Sequence, residues 1–126
     1  MPATEAKGGR LSFIDSGQIP FQVKRAFWIY DIDTETSRGG HAHINAEQIL
    51  VCLQGHVKVE LENVRGDKYT FDLQQPNEIL YFPQQHWLSM KCDKDTILLV
   101  LASNDYSPEG YIRDYGEFKG QNDSNG

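Results

Sequence analysis

The chain has 126 residues, 39% hydrophobic and 24% charged, with a net charge of −6. A single domain of that size buries roughly two-thirds of the surface of its unfolded chain, so it needs neither disulfide nor metal to fold. The acidic balance, with no cluster of Lys or Arg, excludes a nucleic-acid surface. It leaves room for a phosphorylated small molecule held by one or two arginines. No run approaches the roughly 18 apolar residues of a membrane span, and MPATEAKGG lacks the apolar stretch of a signal peptide. Cys52 and Cys92 lie far apart in apolar or mixed surroundings and read as free core thiols, which predicts a reducing, cytoplasmic setting.

Residues 1–10 are polar and Gly-containing and are expected to be flexible. The first strand candidate is QVKRAFWIYDI (22–32), followed by EQILVCLQ (47–54). VKVELE (57–62) alternates Val57, Val59 and Leu61 with Lys58, Glu60 and Glu62, the mark of a half-buried strand. KYTFDL (68–73) alternates in the same way, and NVRGD (63–67) between them carries the Gly and Asn/Asp chemistry of a hairpin turn. EILYFP (78–83), HWLSMK (86–91) and TILLVLA (96–102) complete the set. ILVCL and ILLVL are apolar on both faces, which predicts central strands in a sheet covered on each side. YIRDYGEF (111–118) reads as a helical turn, and 119–126 as a flexible tail. Many short strands with turn signals every 8 to 12 residues predict one all-β antiparallel domain over residues 11–118, a sandwich or barrel.

His41 and His43 are separated by one residue, so on a strand they share a face. Glu47, Ile49, Val51 and Leu53 have the same parity, which predicts that this is the interior face and that the histidines enter the barrel mouth. His-x-His followed by Glu resembles the first metal motif of the cupins, small jelly-roll β-barrels. A metal site wants a further ligand, which in metal cupins is a His five residues after a Pro, in P-x-G-x-x-H. Five residues after Pro83 stands Leu88, and His86 is displaced by two.

The flanking sequence is closer to one cupin group. KRAFWIYD (24–31), RGGHAH (38–43), EQILVCLQG (47–55), LASNDY (101–106) and YIRDYGEF (111–118) resemble, in the same order, the sugar 3,4-ketoisomerases of the FdtA and WxcM-like family. The resemblance implies a cupin fold and migration of a ketone from C4 to C3 of a TDP-linked 4-keto-6-deoxy sugar, with no metal and no other cofactor. It also implies a homodimer. His43 is then the base for C3 and His41 its partner in the proton shuttle, with Tyr30 or an aromatic neighbour as proton donor. Arg38 and Arg25 are candidates for the pyrophosphate or the enediolate. Trp28 and Trp87 can stack on the base or the sugar or pack in the core, and Gln48 is a further substrate-binding candidate. A metal-dependent cupin enzyme and a non-catalytic sugar-binding cupin are the alternatives. Leu88, where a family member carries His, is a departure from the pattern.

Overall fold

In the computed structural model, residues 3–6, 8–33, 36–43, 46–104 and 111–112 are described, with 3–6, 36–43 and 111–112 defined by their backbone. The strands are β1 (Ala3–Ala6), β2 (Gly9–Ser12), β3 (Arg25–Ile29), β4 (Thr36–His43), β5 (Gln48–Gln54) and β6 (Val57–Asn63). β7 (Lys68–Leu73), β8 (Leu80–Phe82), β9 (His86–Cys92), β10 (Ile97–Ala102) and β11 (Tyr111–Ile112) follow. A single 3-10 turn at Ser16–Gln18 is the only helical element among the described residues.

Two antiparallel sheets face each other, one ordered β3-β10-β5-β8 and the other β11-β4-β9-β6-β7. β1 and β2 form a separate hairpin. The core lies between the two large sheets. Leu50 and Cys52 of β5, Leu98 and Val100 of β10 and Phe82 of β8 meet Val57, Val59 and Leu61 of β6 and Leu88, Met90 and Cys92 of β9. Each large apolar side chain so buried stabilises the fold by roughly 1.5–3 kcal/mol before entropy is counted. Cys52 and Cys92 are both buried and free, with burial the main cause pushing the Cys52 thiol up.

β5 and β10 are central, as their apolar runs predict, and the outer face is covered in part, with Ile49 and Val51 of β5 buried. The outer face of β10 carries half-buried Ile97, Leu99 and Leu101. A cavity of about 730 Å³ separates Val51, Leu53, Leu99 and Leu101 from Phe13 and Ile14.

The parity assignment is corrected as well. The inward residues of β5 are Leu50 and Cys52. Val51 and Leu53 line the outer cavity instead. Both faces of this strand are apolar, so alternation alone does not tell which of them meets the second sheet.

Tyr111–Ile112 is a strand rather than the start of a helical turn, because β4 offers it a free edge; residues 113–126 lie outside the described residues. Gly8, at φ 80°, makes the turn that pairs Ala3–Ala6 with Gly9–Ser12, most of which falls in the segment expected to be flexible. β3 is shorter than its pattern because only Arg25–Ile29 find partners on β10. The NVRGD hairpin forms as read. Asn63 Oδ1 accepts from the backbone N–H groups of Arg65 and Asp67, each at 3.0 Å, and Gly66 takes φ 93°.

Gly55 closes the turn between β5 and β6 at φ 91°. A Cβ there would lie 2.5 Å from Thr96 Oγ1 and 2.9 Å from Thr96 Cα. Thr96 is buried and exchanges hydrogen bonds of 3.3 Å with the backbone of His56, so it has little room to yield. Gly55→Ala is expected to cost about 1–3 kcal/mol, read as a melting temperature lowered by several degrees. An unchanged melting curve would contradict this packing.

His56 follows that turn with carboxylates at both ring nitrogens, Nε2 2.8 Å from Asp72 Oδ1 and Nδ1 3.4 Å from Asp93 Oδ2. The Asp72 bond, and then Asp93, hold its pKa above the ordinary imidazole value. The folded state binds the proton more tightly, so the contribution is complete below the unfolded value of about 6.5 and disappears as pH rises through the folded value. Solvent reaches these groups, which limits the effect to about 1 kcal/mol or less. Wild type should melt above His56→Gln at pH 6, with the gap closing by pH 9. A gap independent of pH would remove the charge from the explanation.

Candidate active site

One end of the sandwich collects most of the residues singled out in the sequence. β4 ends there at His43, β5 begins at Gln48, β8 ends at Phe82 and β9 begins at His86. Gln48 pairs with Phe82 on one side and Ala102 on the other, and Ala102 pairs with Arg25 at the start of β3. In the facing sheet, Asn63 pairs with His86, Ala42 with Trp87, and Tyr111 with His43.

Gln48 has the parity of Leu50 and Cys52 and is buried, a polar side chain on the inner face. Arg25 has the parity of Phe27 and Ile29, which pack on the core, and its guanidinium lies 4.9 Å over the Phe27 ring.

β4 reaches this end through an irregularity that strict alternation does not anticipate. Arg38 pairs with Met90, Gly39 with Ser89 and His41 with Leu88, and the register shifts between Gly39 and His41. Gly40 is the extra residue of a bulge. Arg38 and His41 therefore stand opposite two residues of the same, inward face of β9, although three positions separate them in sequence. The Gly39-Gly40 pair was the available signal, since glycine within a strand marks a bulge. Leu88, the departure from the family pattern, is the residue directly across from His41.

Other candidates do not stand on the inner face at this end. Trp28 and Tyr30 have the opposite parity to Phe27 and Ile29 and stand 59% and 58% exposed on the outer side. Trp87 alternates with inward Leu88, so it belongs to the outer face of β9, half-buried. Glu47 is taken up by Tyr81, whose hydroxyl donates to Glu47 Oε1 at 2.5 Å. That bond, followed by burial and the carboxylate charge, pushes the Tyr81 pKa up to about 12. Leu88 is thus the residue across from His41, and Glu47 is engaged by a phenol.

From the sequence alone His86 is a displaced metal-ligand candidate. The structure gives it a defined setting beside a cavity of about 470 Å³ lined in part by Asn63, Tyr69, Gln84 and Gln85. Its signal in the sequence was its parity with Leu88, two residues on.

Known proteins resemble the chain over nearly its whole length. The FdtA family model, described as WxcM-like, C-terminal, matches residues 1–123. The chain belongs to this family. A TDP-4-oxo-6-deoxy-alpha-D-glucose-3,4-oxoisomerase from Aneurinibacillus thermoaerophilus is 36% identical over 118 residues, covering 91% of this chain and 83% of the relative. Among solved structures, the sugar 3,4-ketoisomerase QdtA from Thermoanaerobacterium thermosaccharolyticum, in complex with TDP, superposes with a TM-score of 0.87 at 31% identity. That match covers 98% of this chain and 91% of QdtA. WlaRA, a TDP-fucose-3,4-ketoisomerase from Campylobacter jejuni, gives a TM-score of 0.87 at 31% identity, covering 95% and 90% of the two chains. The FdtA-family fold and the cupin-type sandwich expected from the sequence are therefore the same thing in this chain.

Proposed function

We propose that the protein is a nucleotide-sugar 3,4-ketoisomerase converting TDP-4-keto-6-deoxyglucose to a TDP-3-keto-6-deoxyhexose. The observation that carries this is the 36% identity to a named oxoisomerase over 91% of the chain, with the His-x-His pair kept at the end of β4.

The reaction needs a base near neutrality, because the C3 proton is made acidic only by the adjacent C4 carbonyl. Imidazole can take and return a proton at that pH. In this reading His43 removes the C3 proton, the electron pair passes into an enediolate, and His41 helps carry the hydroxyl proton from O3 to O4. Reprotonation at C4 completes the exchange of ketone and alcohol within one molecule, so no external oxidant is required. Arg38 holds the pyrophosphate, and Arg25 with Gln48, on the inner face of the opposite sheet, bound the sugar.

Trp28 and Tyr30 are assigned to a subunit contact. With Leu99, which pairs with Trp28, and Leu53, they leave an apolar outer face that a second copy of the chain would cover. Sedimentation should show a homodimer; a monomer at micromolar concentration would return both aromatics to the list of substrate contacts. The buried free cysteines suit a reducing compartment, the cytoplasm.

The deciding experiment is incubation with TDP-4-keto-6-deoxyglucose in deuterated buffer containing a chelator, followed by NMR. Carbonyl migration with deuterium entering the sugar is the expected result. Unchanged substrate without exchange would end this reading.

A further inference from the structure

His86 opens β9 on the inward face. It pairs with Asn63, and the next inward pairs along the same two strands are Leu61 with Leu88 and Val59 with Met90. Its place relative to β4 is equally defined. His43 stands one residue beyond Ala42, and His86 one residue before Trp87, and Ala42 and Trp87 are paired. His43 and His86 are therefore the residues that follow the last paired position on two neighbouring strands, which run roughly 4.8 Å apart where they pair. Two groups at that spacing can address two adjacent carbons of one sugar ring.

The imidazole of His86 is oriented by its own loop. Gln85 takes φ 59°, a left-handed conformation that non-glycine residues seldom adopt. This fold-back brings the Gln84 carbonyl 3.1 Å from His86 Nδ1. A carbonyl oxygen only accepts, so Nδ1 carries the proton and donates it. Nε2 is then the nitrogen left to take a proton and give it up. A ring fixed in one tautomer by a backbone carbonyl and left half-exposed can serve as an acid–base group.

We propose that His86 delivers the proton to C4, an inference that rests on the ketoisomerase reading above. The base on β4 takes the proton from C3 and leaves the electron pair in the enediolate. The O3 proton passes to O4. His86, protonated at Nε2 from solvent, gives that proton to C4 and returns to the neutral ring with its proton on Nδ1. One carbon is oxidised and its neighbour reduced, and the proton lost at C3 balances the one gained at C4.

The test uses substrate deuterated at C3 in ordinary water, with wild type and His86→Asn compared for loss of the label and for product. The Asn amide can still donate to the Gln84 carbonyl but cannot relay a proton. His86→Asn should keep wild-type melting and wash out the C3 label, while product formation falls about a hundredfold or more. His86→Gln, which loses the anchoring donor instead, should show the same split and serves if the Asn variant is unstable. Wild-type product formation in both variants would overturn the proposal. So would an equal loss of exchange and product, which would place His86 on the C3 side or in substrate binding. If wild type itself neither exchanges nor isomerises, the ketoisomerase reading fails first, and that result is visible without any substitution.

Discussion

His43→Asn is expected to lower kcat/KM for TDP-4-keto-6-deoxyglucose by about 10²–10⁴-fold, the usual cost of removing a general base. It should also stop loss of the C3 proton to solvent, because no other group in the proposed mechanism starts the reaction. The fold should survive. His43 is the last residue of β4, held there by backbone pairing with β11, and those bonds do not involve the imidazole. Asn keeps polarity and approximate size, so melting should move little. His41→Asn should cost a comparable or smaller factor, since a proton passing between two oxygens can use water. The assay separates the two roles: the His41 variant keeps C3 exchange in excess of product formation, whereas the His43 variant loses both. Near wild-type turnover in both variants would remove the pair from the mechanism.

The second large effect is expected at Arg38. The bulge at Gly40 brings it opposite an inward residue of β9 on the same row as the partner of His41, two pairs farther from the His43 end of the strand. A guanidinium there can hold two phosphate oxygens in parallel, a geometry an ammonium does not reproduce. A charge-assisted hydrogen bond of roughly 1.5–3 kcal/mol corresponds to about a ten- to hundredfold change. Arg38→Lys should therefore raise KM and weaken TDP binding by about that factor, with turnover at saturation mostly kept. A fall in kcat with TDP affinity unchanged would move Arg38 from the phosphate to the enediolate. If Arg38→Lys and Arg38→Ala both leave affinity and kinetics alone, the arginine is a bystander.

The sequence by itself determined the fold class and most strand positions. Val57, Val59 and Leu61 alternate with charged residues because one side of β6 faces the core and the other faces water, and that contrast is local and visible. The two wholly apolar runs identified β5 and β10 as central strands of their sheet. The histidine pair and its arginine stand out in the sequence as candidates, since their residue types suit the chemistry wherever the strand points.

Only the tertiary structure decided which way the apolar strands face. In ILVCL both parities are apolar, and Leu50 and Cys52 are inward because the second sheet lies on that side, a fact outside the strand itself. The same distinction placed Trp28 and Tyr30 outside, gave Glu47 to Tyr81, and turned Tyr111–Ile112 into an edge strand. It also let one extra glycine in β4 bring Arg38 and His41 opposite the same face of β9. Period 2 is a property of a single strand, whereas inside and outside exist only once two sheets have met.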